Sequence, residues 1–543
     1  MKAITIVLLL FLSITSTFGQ KNNIEKIKEV LDTYEQLGFF HGSVLVYEKG
    51  ELLLSKGYGR KNSSVTSKND ANSVYRIYST TKIFTATVIL QLQEQGKLKL
   101  SDRLSKYYPN FPSGHDITIE SLLTHTSGIP NDTDPEHTKS ETVFLDFIIV
   151  QPLDFSPGSR WNYSNSAYYL LGYIIEKVAK MPYEEAVNHY IFQPCKMNQS
   201  GFAFKSMKGE QKTQGFEYLT LHKHKTALVY DEPHPFAAGA MYSTTGDLLK
   251  FYKGLREHQL LKTETLQKAT SEYMGHHYGL GWETYPYIHK KAVGHSGGGP
   301  GFKSRFKLIF EEDICVIVLS NTETNKNLDS MILSMVLAND PKEDFITPAK
   351  VAHEKLLPFK GTYTLEDSKF LIYLNDGVLS FHHSKYTSSR SLLAPKNDSI
   401  FFTDVIMNGT EGNVFFKFKT NGKNEVDFLE VSFPNGEKKI AYKESTSIPW
   451  GIIGSATKSG WEGNDILMEP DKDNPDVFKL DNVKLQDGEF KFRVNNDWNI
   501  NLGLGIKDGL IVNGGNLTVT EGTYTIMLDV SDITKPVYSI KKS

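Results

Sequence analysis

Ser79-Thr80-Thr81-Lys82 puts a hydroxyl and an amine three residues apart, just where a helical pattern begins. Apolar residues Ile83, Val88, Ile89, Leu90 and Leu92 follow a helical period, and Gly96 reads as the stop. Residues three apart on a helix share a face, so Ser79 and Lys82 should stand side by side. The helix N-terminus would favour negative charge developing on the serine oxygen. That pairing is a nucleophile with a nitrogen base beside it. The plainer reading makes Ser79 a helix cap and Lys82 a solvated cation. Ser-x-x-Lys alone cannot decide between them, because it recurs by chance in a long chain.

Three further stretches carry groups that could complete a site. In FSPGSRWNYSNSAYYLLGYIIEKVAK (155–180), Tyr163-Ser164-Asn165 stands where a loop after Pro-Gly becomes a helix. In AVGHSGGGPGFKSRFKLIF, His295-Ser296-Gly297 leads from a strand into glycines. The third is SLLTHTSGIP (121–130), a turn-rich segment in which His125 is read as a turn residue. Helix capping would explain Ser164 and Asn165 equally well. The run Gly297–Gly299 with Gly301 is not a phosphate loop, since no Gly-Lys-Ser/Thr follows and the next element is a strand.

These residues need a scaffold, and the chain has length for several. At 543 residues it exceeds one ordinary core. The formal charge of −3 gives no support to a nucleic-acid partner. Lys2, the apolar run Ala3–Leu12 and the small residues up to Gly19 have the layout of a signal sequence (1–19) cleaved near Gly19-Gln20. The expectation is an exported, periplasmic or extracellular protein. Cys195 and Cys315 are the two cysteines, both in apolar settings, and should be buried free thiols. No His-Glu-x-x-His occurs, and neither metal nor cofactor is expected.

Residues 22–37 read as an amphipathic helix and 42–59 as a hairpin turning at Lys49-Gly50. Helical patterns fill 80–200, a second strand pair spans 302–321, and a helix follows at 327–339. The fold class expected is therefore α+β, an antiparallel sheet flanked by helices plus a helical lobe, over residues 20–340. A linker at 341–354 leads to two all-β modules, 355–444 and 446–543. The first of these reads as a barrel or a sandwich.

Taken in order, Ser79-Thr80-Thr81-Lys82, Tyr163-Ser164-Asn165 and His295-Ser296-Gly297 resemble the three boxes of the serine β-lactamase and penicillin-binding-protein superfamily. The branch with class C β-lactamases, D-alanyl-D-alanine carboxypeptidases and esterases is the most similar. The resemblance covers about residues 38–340. It implies an acyl-enzyme on Ser79, with Lys82 and Tyr163 jointly base and acid. It also implies substrate contacts through Asn165, His295, Ser296, Gly297 and Gly298, the N–H groups of Ser79 and Gly298 forming the oxyanion hole. His295 departs from the lysine usual in β-lactamases. That departure favours a D,D-peptidase or esterase acting on a small peptide or ester over a β-lactamase; a non-catalytic cell-wall or glycan binder is the alternative from another class. Module 355–444 resembles lipocalin-like domains. Module 446–543 resembles SusE/SusF starch-binding modules, which implies glycan contact through Trp461 and Trp498.

Overall fold

The computed structural model describes residues 23–543, apart from 221–223, 229–233, 288–289, 323–327 and 338–345 in an N-terminal unit and, in a C-terminal one, 366–367, 376, 384–390, 408–409, 422–424, 446–448, 472–473, 475, 495–496, 506–508, 513 and 532–535. The expected signal sequence, 1–19, lies outside the described residues, as does the start of the expected linker. The chain packs as two compact units, Met1–Phe345 and Ile346–Ser543. Among the described residues no helix is long and apolar enough to cross a membrane.

The N-terminal unit is built on one antiparallel sheet assembled from both of its ends. Helix α1 (23–36) buries Ile27, Val30, Leu31 and Tyr34 and leads into β1 (Gly42–Glu48) and β2 (Glu51–Tyr58). Their hairpin turns at Lys49 (φ +47°) and Gly50 (φ +91°), two successive positive angles of the kind that match strand twist. The helical lobe follows, including α2 (Thr81–Glu94) and α3 (Asn165–Ala179). The chain then returns through β3 (Glu283–Tyr287), β4 (Lys290–Gly299), β5 (Phe302–Ile309) and β6 (Ile314–Ser320), and closes with α4 (Leu328–Leu337). The sheet order is β2-β1-β6-β5-β4-β3, so the first hairpin zips onto the last strand, Gly42 opposite Ser320. Asn23 Nδ2 donates to the Met335 carbonyl (3.0 Å), joining the two terminal helices.

Helix α2 is central rather than amphipathic. Every residue from Thr81 to Leu92 is buried, and its first two turns hydrogen-bond to the Phe236–Gly239 segment, Thr85 Oγ1 donating to the Ala237 carbonyl at 2.7 Å. A helix enclosed on all sides cannot shift without repacking the core, which makes it a rigid mount for what its N-terminus carries. Cys195 and Cys315 are buried and unpaired, as the sequence suggests.

In the C-terminal unit, eight strands from Gly361–Leu365 to Lys438–Ser445 form a closed antiparallel barrel, the first pairing with the last. Closure removes sheet edges, and Phe359, Tyr363, Phe401, Phe416 and Phe418 belong to its buried core. Beyond it lie two sheets whose shared core includes Trp450, Ile452, Phe490, Phe492, Ile526 and Leu528.

Candidate active site

Ser79 sits in a 3-10 turn, Tyr78–Thr80, that runs directly into α2. From Ser73 to Leu92 it is the one residue that is not buried. The turn is forced: Tyr78 is left-handed (φ +44°), a conformation costing a residue with a side chain about 1–2 kcal/mol. Several bonds offset that cost. The Ile77 N–H donates to Met241 (3.0 Å), Ser304 Oγ donates to the Ile77 carbonyl (2.7 Å), and Tyr78 Oη donates to Pro300 (3.0 Å).

Lys82 Nζ is 3.2 Å from Ser79 Oγ and donates at 2.8 Å to both Asn165 Oδ1 and the Ala238 carbonyl. Its side chain is wholly buried. Burial pushes the amine well below the usual lysine range, against the charge of Glu283, which favours the ammonium. Burial also raises the Tyr163 phenol above its ordinary value, with hydrogen bonding to Ser79 working the other way. The two shifts point to the same microstate, neutral amine and neutral phenol, so Lys82 is the group able to accept a proton. The Lys82 Nζ lies 4.8 Å from the Tyr163 ring centre. Asn165 opens α3, and its N–H and Nδ2 both donate to Asn131 Oδ1 (2.8 and 3.0 Å). Ser164 caps the helix, accepting from the Ala167 N–H at 3.2 Å.

The third segment comes from β4, whose end outruns β3. The ladder with β3 stops at Gly294, leaving His295–Gly299 free on that side to approach the nucleophile turn. Glycine is required by closeness. A Cβ on Gly297 would fall 2.0 Å from the Ile77 carbonyl oxygen, and one on Gly299 2.4 Å from the Tyr78 ring. Gly298 is exposed and Ser296 partly so.

His295 is placed differently from the expectation. It is 1% exposed, with Nδ1 2.6 Å from the Ser296 carbonyl and Nε2 3.0 Å from Tyr278 Oη. A carbonyl can only accept, so Nδ1 carries the proton and Nε2 accepts from the phenol. Burial lowers its pKa, Glu283 opposing and Lys82 reinforcing. Its imidazole therefore backs the cleft and offers no free nitrogen to a substrate. Ser296 is likewise engaged, its N–H and Oγ each 2.9 Å from a Glu283 carboxylate oxygen.

Sequence reasoning passed over three residues that the fold gathers here, Asn131, Tyr278 and Glu283, and gave a fourth, His125, no role beyond a turn. Tyr278 and Glu283 bracket the stretch YGLGWE, whose Gly281 (φ +85°) would meet the Ala86 side chain if it bore a Cβ. A glycine pair before a strand was the available signal. His125 is in a turn as read, at φ +59°, yet the turn lies in the core with the ring fully buried.

Buried imidazoles give a prediction for acid stability. Burial lowers His41 and His234 from 6.5 to about 4, and His125 and His295 are lowered too. Each binds a proton more readily when unfolded, so its contribution is complete above pH 6.5 and drains away as pH falls toward the folded value. For His41 and His234 that is about 3 kcal/mol apiece below pH 4. Urea unfolding at stepped pH should show stability declining from 6.5, before carboxylates begin to titrate, and a flat profile down to pH 5 would contradict it.

Comparisons with known proteins place the N-terminal unit in a family. The family model described as Beta-lactamase matches residues 25–339. A penicillin-binding protein of Bacillus subtilis strain 168 is 27% identical over 385 residues, covering 64% of this chain and 84% of its own. Among solved structures, a penicillin-binding protein from Bacillus halodurans superposes with a TM-score of 0.50 at 26% identity, covering 57% of this chain and 99% of that one. The octameric penicillin-binding protein homologue from Pyrococcus abyssi reaches 0.54 at 24% identity, over 77% of this chain and 99% of that one, a likeness of fold.

Proposed function

Because the chain belongs to the Beta-lactamase family of serine hydrolases, we propose that it is an exported hydrolase that forms an acyl-enzyme on Ser79. Its substrate class is a small peptide or ester, with β-lactams as acylating analogues and β-lactamase turnover as the alternative. The observation that carries the reading is the 3.2 Å approach of a buried amine to the one accessible hydroxyl of its segment. Ser79 Oγ attacks the carbonyl carbon while its proton passes to Lys82 Nζ. The oxyanion is received by the N–H groups of Ser79 and Gly298, donors of a kind worth about 2.7–4 kcal/mol each. On collapse the C–N or C–O bond breaks, and Tyr163 Oη relays a proton from Lys82 to the leaving group. Water then attacks the ester carbonyl, Lys82 Nζ taking its proton and returning it to Ser79 Oγ as the acyl C–O bond breaks. Neither nitrogen of His295 is available as a cation for a substrate carboxylate, which weighs against a dedicated β-lactamase.

The test is to incubate the protein with a fluorescent penicillin, a chromogenic ester and a D-alanyl-D-alanine peptide. Persistent labelling or peptide cleavage supports a peptidase, ester cleavage alone an esterase, and fast release of hydrolysed penicillin a β-lactamase. Intact-mass spectra showing no adduct with any donor would refute the nucleophile and leave the binding-protein reading.

For the last module we propose glycan contact. Trp450 is core, but Trp498 is 39% exposed and Trp461 partly so, their ring centres 5.8 Å apart. They line an open, shallow surface depression with Glu462, Lys491 and Asn516. Beneath Trp498 the buried Arg493–Asp465 pair (2.7 Å) props the platform, the guanidinium 4.6 Å from the ring centre. Flat indoles flanked by hydrogen-bonding groups suit the apolar face and hydroxyls of a sugar ring. Affinity electrophoresis through gels of soluble polysaccharides should show retardation that Trp498→Ala weakens about tenfold, or ~1.4 kcal/mol. Equal migration of variant and wild type in every gel would refute it.

A further inference from the structure

His125 has no part in the proposed chemistry, yet it is wholly enclosed beside it. Its ring is wholly buried among Tyr163, Tyr168 and Tyr278, with centroid distances of 4.4, 5.2 and 4.7 Å. The Ser164 N–H donates to its Nδ1 at 3.1 Å, and the Asn162 N–H donates to its main-chain carbonyl at 2.9 Å. Tyr163 is the residue between those two anchors. Asn162, Tyr163 and Ser164 are thus gripped from both ends by one residue, whose ring also packs against the middle side chain.

The protonation pattern says which feature of the imidazole matters. Accepting at Nδ1 leaves the neutral ring's proton on Nε2. Nε2 is buried and has no hydrogen-bond partner among the described residues. An unpaired buried N–H is unfavourable, and a leucine or phenylalanine would fill this box of rings without one. What neither could do is accept the Ser164 N–H, which would otherwise be lost inside the protein at the start of α3.

We propose that His125 is the positioning residue for Tyr163: through Nδ1 and its carbonyl it fixes the 162–164 segment, and so the point at which the phenol meets Ser79. The inference rests on the reading of Ser79 as nucleophile and adds a residue outside the three sequence boxes. It does not touch substrate. Its loss should slow bond making and leave binding alone.

The substitutions that separate this from a packing role differ in where they put an acceptor. Asparagine places its carbonyl oxygen near the position of Nδ1 and tolerates the left-handed backbone that His125 adopts (φ +59°). Glutamine carries the oxygen one bond further out. With phenyl butyrate as acyl donor, whose leaving group must take up a proton, His125→Gln and His125→Ala should lower kcat about tenfold or more, with KM moving less than about twofold. His125→Asn should recover most of that loss, and acylation by a fluorescent penicillin should follow the same order. Equal rates for the Gln variant and wild type would overturn the proposal. So would an Asn variant as slow as Ala, or one that fails to fold, since it keeps both the acceptor and the backbone preference. Failure of wild type itself to be acylated by either donor would instead refute the nucleophile, and is read first.

Discussion

Ser79→Ala should form no covalent adduct with any donor that labels the wild type, and its turnover should fall by at least about 10^3-fold, toward the ~10^6 seen when a serine nucleophile is removed outright. The size of the effect follows from how little else in the cleft could substitute. Thr80 and Thr81, its neighbours, are fully buried, and Thr80 Oγ1 is committed to Ser304 (2.8 Å). Water could be activated by Lys82 in the alanine variant, but the acyl intermediate that divides the reaction would be gone. Stability should change little. Ser79 is partly exposed, and its bond to Lys82 is, at 3.2 Å, the longest of that amine's three. Intact-mass spectrometry checks the first statement and a thermal melt the second; an adduct surviving on the alanine variant would place the nucleophile elsewhere.

Lys82→Met should separate activity from stability in opposite directions. Loss of the general base costs about 10^2–10^4-fold in acylation. The fold, by contrast, should gain. A buried amine whose pKa is held below its unfolded value binds fewer protons folded than unfolded. Folding is therefore penalised at every pH below the ordinary lysine range, and the penalty eases as pH rises toward it. An unbranched apolar chain of similar length removes the penalty, at the loss of the donors to Asn165 and Ala238. We expect a higher melting temperature at pH 7 and a shallower rise of stability with pH. The same depressed pKa puts the rising limb of acylation rate against pH below where an exposed lysine would place it. A wild-type profile that rises only in the normal lysine range would contradict a neutral Lys82.

Legibility in the sequence followed periodicity. Ser79 and Lys82 could be paired because a helix fixes the relation between positions three apart, and the predicted neighbours are in contact. The hairpin at Lys49-Gly50 and the strand pair over 302–321 were readable for the same kind of reason, alternating strands around turn residues, and Asp313 in the second turn has the left-handed angle it needs (φ +54°). His295 was not. A strand's faces are told apart by an alternation of apolar and polar residues, and His-Ser-Gly-Gly-Gly offers none. Which of His295 and Ser296 faces inward was decided by the register with β5, His295 opposite the buried Phe306. His125 lies in a turn more than about 150 residues before Tyr278 and Glu283, and no local pattern links it to them. Burial of a polar turn is a tertiary outcome, visible only once the surrounding rings are in place.

The partnership of β1 with β6 sets the order in which this molecule can acquire its chemistry. A ribosome releases Ser79 long before Ile314–Ser320, and until that last strand arrives β1 has no neighbour on its inner edge. The glycine-bearing end of β4 is delivered equally late. Contacts spanning nearly the whole unit make for high contact order and slow maturation. A chain whose Ile314–Ser320 strand has not yet paired with β1 thus carries its serine unarmed, and competence for acylation waits on that pairing.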